Sequence, residues 1–150
     1  MARKRVISPE FYTDEKILEL PIQARLMFVG MWNHADDEGL FKDSPKQLKV
    51  QIYPADEEIT LKLVAEYIEM MVKLKLLSKG TNIDGSKLLK ITKWNDWQKI
   101  NRPTPSKYVF TSLQINEDSV SNQGGVIEDS RPIEVKLSKE KLKEDKLRSK

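Results

Sequence analysis

Between Pro21 and Ala35 almost every side chain is apolar, which leaves the segment few places to go. Ile22, Leu26, Val29 and Trp32 recur at spacings of four and three. Met27, Phe28 and Met31 widen the stripe until little but Gln23, Arg25 and Asn33 is polar. A helix of this kind is expected at the centre of a core. Pro21 suits its first turn, where a missing N–H costs nothing. A shorter helix, Thr13 to Leu20, is expected ahead of it with Thr13 as N-cap. At 150 residues the chain has room for one such core, or for one domain and a tail.

The apolar helix runs out at Asp36-Asp37-Glu38-Gly39, and Leu40-Phe41 has length only for a brief strand. Asp43-Ser44-Pro45 supplies a cap and a first-turn proline for a second helix, which carries Leu48 and Ile52 inward and closes before Pro54. A third helix follows Thr60, with Ile59 and Val64 as a hydrophobic staple across the cap. Its expected buried face is Val64, Tyr67, Ile68 and Met71, completed by Leu74 or Val72. Two strand-like runs, Leu76 to Lys79 and Leu88 to Lys93, flank a polar loop containing Asp84-Gly85, a hairpin signal. Helix, short strand, helix, helix and hairpin follow one another in the winged-helix order. The expected fold class is therefore α+β: a winged helix-turn-helix with a three-helix core and a β-hairpin wing, spanning residues 1–110.

From Thr111 the aromatics stop, Ser119 to Gly125 reads as linker, and Leu137, Leu142 and Leu147 share no helical face. Residues 111–150 are expected to form a disordered, charged tail. No apolar run approaches the roughly 20 residues needed to span a bilayer, and the basic start has no segment of secretory length behind it. There is no cysteine, which removes disulfides, thiolate metal sites and cysteine nucleophiles. The expected location is the cytoplasm.

Charge is distributed unevenly. From Glu10 to Glu38 two basic residues face seven acids, a balance of −5, whereas from Val72 to Lys107 nine basic residues face two acids, a balance of +7. Such polarity bears on partners. Lys75, Lys79, Lys87, Lys90 and Lys93 lie on or beside the hairpin, where ammonium groups displace counterions from a phosphate backbone; the competing reading is a solvated hairpin whose lysines protect an edge. The third helix offers Lys62 and Lys73, but Glu66 and Glu69 oppose phosphates and make ordinary pairs at spacing four. The second helix is better suited, with Lys46, Gln47, Lys49 and Gln51. Trp94 and Trp97, flanked by Lys93, Lys99, Arg102 and Lys107, either stack on unpaired bases or fold back to seal the core; the second is the expectation. His34 with Asp36, Asp37 and Glu38 supplies too few convergent ligands for a metal, so a solvated acidic turn with Gly39 near positive φ is expected. No phosphate loop, nucleophile elbow or triad is present, so neither enzymatic activity nor a cofactor is expected.

Three passages together resemble a known family. They are Arg3-Lys4-Arg5-Val6-Ile7-Ser8-Pro9-Glu10-Phe11-Tyr12-Thr13-Asp14-Glu15; Ala24-Arg25-Leu26 through Trp32 to Ala35-Asp36-Asp37-Glu38-Gly39; and Trp94 to Gln98-Lys99-Ile100-Asn101-Arg102-Pro103-Thr104-Pro105-Ser106-Lys107. This pattern is similar to the N-terminal domain of phage replisome organisers and replication-initiation proteins, relatives of the bacterial DnaD family, over about residues 1 to 110. The resemblance implies a winged helix, self-association, binding of double- or single-stranded DNA, and a role in loading the host helicase at an origin. Arg3, Lys4 and Arg5 then join the expected DNA contacts. Longer members carry a second folded domain, for which this chain shows no pattern. Two other readings compete: a winged-helix transcriptional regulator, and an interaction module that binds partner subunits without DNA.

Overall fold

The computed structural model describes residues 2–113. A 3-10 turn over Pro9–Thr13 leads into the single-turn helix α1, Glu15–Leu18. Asp14, not Thr13, caps it, its carboxylate accepting the N–H groups of Lys16 and Ile17 at 2.9 and 3.1 Å. Thr13 is still inside the 3-10 turn and its hydroxyl bonds back to the Glu10 carbonyl. Helix α2, Ile22–His34, begins after Pro21. The short strand β1, Leu40–Lys42, follows, then α3, Pro45–Ile52, and α4, Leu61–Lys73. Ser44 Oγ accepts the Gln47 N–H at 3.2 Å and Thr60 Oγ1 accepts the Leu63 N–H at 3.1 Å, as their positions predict.

The hairpin consists of β2, Leu77–Thr81, and β3, Lys87–Ile91. Gly85 has φ +88° in its loop, and Asp84 accepts the Ser86 N–H. After a short helix α5, Trp94–Trp97, the chain returns as β4, Thr111–Ser112. All four strands are antiparallel in the order β1-β3-β2-β4. The architecture is thus α+β, helices packed on an antiparallel sheet. The boundary expected at 110 moves outward, because Thr111 pairs with Thr81 and Ser112 with Gly80. Gly80 is what admits this strand: a Cβ there would collide with the Phe110 ring and the Thr111 carbonyl. The remainder of the expected tail lies outside the described residues.

The core keeps the expected α2 stripe at Val29 and Trp32, with Met27, Phe28 and Met31, and turns out its first half. Ile22 and Leu26 are 73% and 57% exposed, while Ala24, Met27, Phe28, Met31 and Trp32 are buried. On a helix apolar nearly all round, the face with the largest side chains turned inward, since burying more area stabilises more. There Trp32 makes edge-on or tilted contacts with Phe11, Phe28 and Trp97 at 5.4–5.7 Å between ring centres. Its Nε1–H is buried with no partner among the described residues. Helix α4 buries Val64, Tyr67, Ile68 and Met71, the expected four, while Val72 and Leu74 pack partly buried against the core. None of the described helices is long and apolar enough to cross a membrane.

The two faces of the sheet do different things. Phe41, Leu77, Leu89 and Ile91 join the helical core. Leu40 and Leu88 are also buried but lie outside that core. In the antiparallel register Leu40 sits opposite Lys90, and Leu88 opposite both Lys42 and Gly80, so these residues share the other face. Phe110 packs against Gly80 on that face.

Candidate nucleic-acid interface

The acidic turn between α2 and β1 is where distant parts of the chain meet. Gly39, at φ +81°, lets the chain reverse beneath Trp94, where a Cβ would come within 2.9 Å of the indole. Asp36 accepts the N–H groups of Glu38 and Leu40 through Oδ1, and the Ser106 hydroxyl through Oδ2. Asp37 accepts Arg3, Arg5 and, at 2.9 Å, the Thr104 N–H. Glu38 accepts the Ser106 N–H at 2.8 Å. The turn was expected to be solvated; it is instead consumed by donors from residues 3–5 and 104–106. The Thr104 N–H foremost, with the Arg3 guanidinium beside it, holds the Asp37 carboxyl below the usual carboxylate range. All three passages that carry the family resemblance contribute to this junction.

Arg5 is therefore not available to DNA, contrary to expectation. Its side chain is 7% exposed, donates to the carbonyls of Trp32, Ala35 and Asp36, pairs with Asp37, and lies 5.1 Å over the Trp94 ring. Carbonyls left bare at the end of α2 explain the demand for a cation there. Arg3 is also paired, with Asp37, though still partly exposed. Lys49 is occupied too: its ammonium donates to the carbonyls of Tyr53 and Asp56 beyond α3. Lys79 is paired with Glu69 across from α4. Trp94 is buried, its Nε1–H bonded to the Asp37 carbonyl at 2.9 Å, and Trp97 packs partly buried on the core. Both rings seal the fold, as expected.

The other candidates remain on the surface. Lys4, Lys46, Lys75, Lys87, Lys90, Lys93, Lys99, Arg102 and Lys107 are exposed and form no ion pair among the described residues. Lys75, Lys93 and Arg102 stand at positive φ, at the corners where α4 enters β2, β3 enters α5, and the strap of residues 102–110 begins. Lys90 lies over the Phe110 ring and Lys107 over Tyr108. Lys42 was overlooked, and the sheet puts it on the same face as Lys90. Its signal was its place two residues after Leu40 in a strand of alternating facing. Lys87, three residues before Lys90, faces the other way, near Asp43, whose half-buried carboxyl burial pushes up despite Lys79 and Lys87. The basic hairpin is thus two clusters. One, Lys79 and Lys87, is partly offset by Glu69 and Asp43; the other, Lys42 and Lys90 with Lys107 of the strap, forms no ion pair among the described residues, with Asp84 close enough to Lys42 to feel its charge.

An open cleft of about 460 Å³ lies between the end of α2, β1, α3 and the strap, lined among others by Arg3, His34, Lys42, Gln47, Gln51 and Tyr108. Burial lowers the His34 pKa. Among the described residues no three His, Asp or Glu side chains group as metal ligands. No protein-family model, curated protein or solved structure matches the chain.

Proposed function

We propose that the chain is a winged-helix DNA-binding module that serves phage replication initiation and recruits a helicase or its loader in the host cytoplasm. The order α2, β1, α3, α4, β2, β3, with β1 added to the hairpin beside β3, supports the winged-helix reading. One observation carries the DNA reading. The exposed cations of the hairpin and strap form no ion pair among the described residues, although Asp43 lies near Lys87, while those near the acidic turn are consumed by the fold. Unpaired ammonium groups along a sheet face suit phosphates and carry no base readout, so the binding is weakly specific. Exposed Leu18, Ile22 and Leu26 on the acidic half of the chain favour a second, partner-binding role, including self-association.

Charge reversal at Lys87 and Lys90 tests the reading by fluorescence anisotropy on labelled duplex and single strand at several salt concentrations. Affinity should fall for every sequence alike, and the slope of log affinity against log salt should flatten by roughly 0.9 per lost duplex contact. Reversal at Lys62 and Lys73 on α4 should do less. Loss confined to one sequence and to the α4 variant would replace the proposal with a transcriptional regulator. No binding by the unmodified chain at low salt would leave only the interaction module.

A further inference from the structure

The cleft beside the strap combines three recognition chemistries in one concavity. Arg3, Lys42 and Lys107 bring positive charge from the N-terminal arm, β1 and the strap; Gln47 and Gln51 bring primary amides from α3; Tyr108 brings an aromatic ring. Its volume lies within the range of about 300–1,000 Å³ typical of small-ligand sites. The Lys42 and Lys107 ammonium groups, both glutamine amides and the Tyr108 hydroxyl make no hydrogen bond among the described residues, and the Lys107 ammonium lies over one face of the Tyr108 ring, leaving the other face for a ligand. The one carboxylate in the lining, Asp36, is satisfied by Glu38, Leu40 and Ser106; Arg3 is already paired with Asp37, so the cations left for a ligand are Lys42 and Lys107.

Cations alone would suit any anion, but the amides and the ring narrow the choice. A glutamine amide presents a donor and an acceptor side by side, which matches the edge of a base. An aromatic ring stacks on any unpaired base. A base inside a duplex is stacked on both faces and paired along its edge, so it cannot offer a face to Tyr108 and its pairing edge to the amides at once. We propose that the cleft binds one unpaired nucleotide, its phosphate held by Lys42 and Lys107 and its base by Gln47, Gln51 and Tyr108. This goes beyond phosphate binding by the hairpin, since it assigns a ligand that duplex DNA does not offer. The nucleotide comes either from a single strand or from a free nucleotide, which share this chemistry.

The experiment compares the full chain with two variants, Gln47→Ala/Gln51→Ala and Lys107→Gln, on a labelled 12-nucleotide single strand, its duplex, and dAMP. Both variants change exposed side chains and leave the junction at Asp37 intact, which circular dichroism verifies. The glutamine variant should weaken single-strand binding at least tenfold and change duplex binding less than twofold. Nuclear magnetic resonance should show the side-chain NH₂ signals of Gln47 and Gln51 shifting on addition of the single strand. If dAMP shifts them at comparable concentration, the source is a free nucleotide; if only the strand does, it is single-stranded DNA. Single-strand affinity within twofold of the unmodified chain in both variants, with unmoved glutamine signals, overturns the proposal. The Lys87/Lys90 reversal separates the two readings, because it should weaken the duplex while leaving the glutamine shifts in place. If it leaves duplex binding unchanged and the glutamine variant still loses the strand, the hairpin reading fails and the cleft stands.

Discussion

Replacing Asp37 by alanine should loosen both ends of the described chain at once. The carboxylate, 11% exposed, accepts from Arg3 at 2.5 Å, from two nitrogens of Arg5 at 3.3 Å and from the Thr104 N–H at 2.9 Å. A hydrogen bond to a charged group is worth about 1.5–3 kcal/mol. The Arg3 contribution is near the exposed-pair limit of about 1 kcal/mol or less, because that side chain is 38% exposed. Arg5 keeps three carbonyl acceptors after the change, so its charge is not orphaned outright. The balance is a loss of about 2–4 kcal/mol, or roughly 8–16 °C in Tm for a domain of this size. Asp37→Asn, which keeps an acceptor for Thr104, should lose about half as much. Since the folded carboxyl titrates below its unfolded value, its contribution is complete above the unfolded pKa and fades as pH falls through the folded one. The gap between the unmodified chain and Asp37→Asn should therefore hold from pH 7 to about 4 and narrow only below that. Scanning calorimetry across that range reads the gap, and trypsin reads the strap, through faster cleavage at Lys99 and Lys107. A Tm drop under about 2 °C with an unchanged cleavage pattern would refute the reasoning.

Two further perturbations have outcomes that follow from the geometry. Gly80→Val should expel Phe110 and detach β4, seen as lost amide protection at Leu113, whose N–H bonds to the Lys79 carbonyl, with the α4 amides unaffected; retained protection there would contradict the packing. His34, whose pKa burial depresses, binds its proton more readily when unfolded, so stability should decline as pH falls from about 7 toward 5, and His34→Gln should flatten that decline in urea titrations.

The caps at Ser44 and Thr60 and the inward face of α4 were legible because each has a local cause: a side-chain oxygen at the right place, or a single apolar stripe with a charged back. Helix α2 was legible as a helix and only in part as to facing, since periodicity cannot choose between faces that are both apolar. Only the packing of Phe11 and Trp97 against Phe28 and Trp32 decides it. Arg5, Lys49 and Lys79 were read as ligands for phosphate because charge along a chain does not reveal what lies opposite in space. Their partners are four to thirty-two residues distant along the sequence, and in two cases backbone carbonyls. Strand β4 escaped notice because two residues of ordinary composition pair only by virtue of Gly80.

The junction at Asp36, Asp37 and Glu38 joins residues 67–70 positions apart, Thr104 and Ser106 being the later partners. During synthesis the three carboxylates leave the ribosome long before those partners exist. At about 5–20 residues per second the interval is roughly 3–14 s. Throughout it the arm at Arg3 and Arg5 can reach the turn, but the strap cannot. The nascent chain therefore passes through a stage in which helices are formed and the outer face of the sheet, with Leu40 and Leu88, stands uncovered. A co-translational chaperone would meet the chain at that face, and a delay in translation falling after β3 has emerged and before Ser112 has would prolong the exposure.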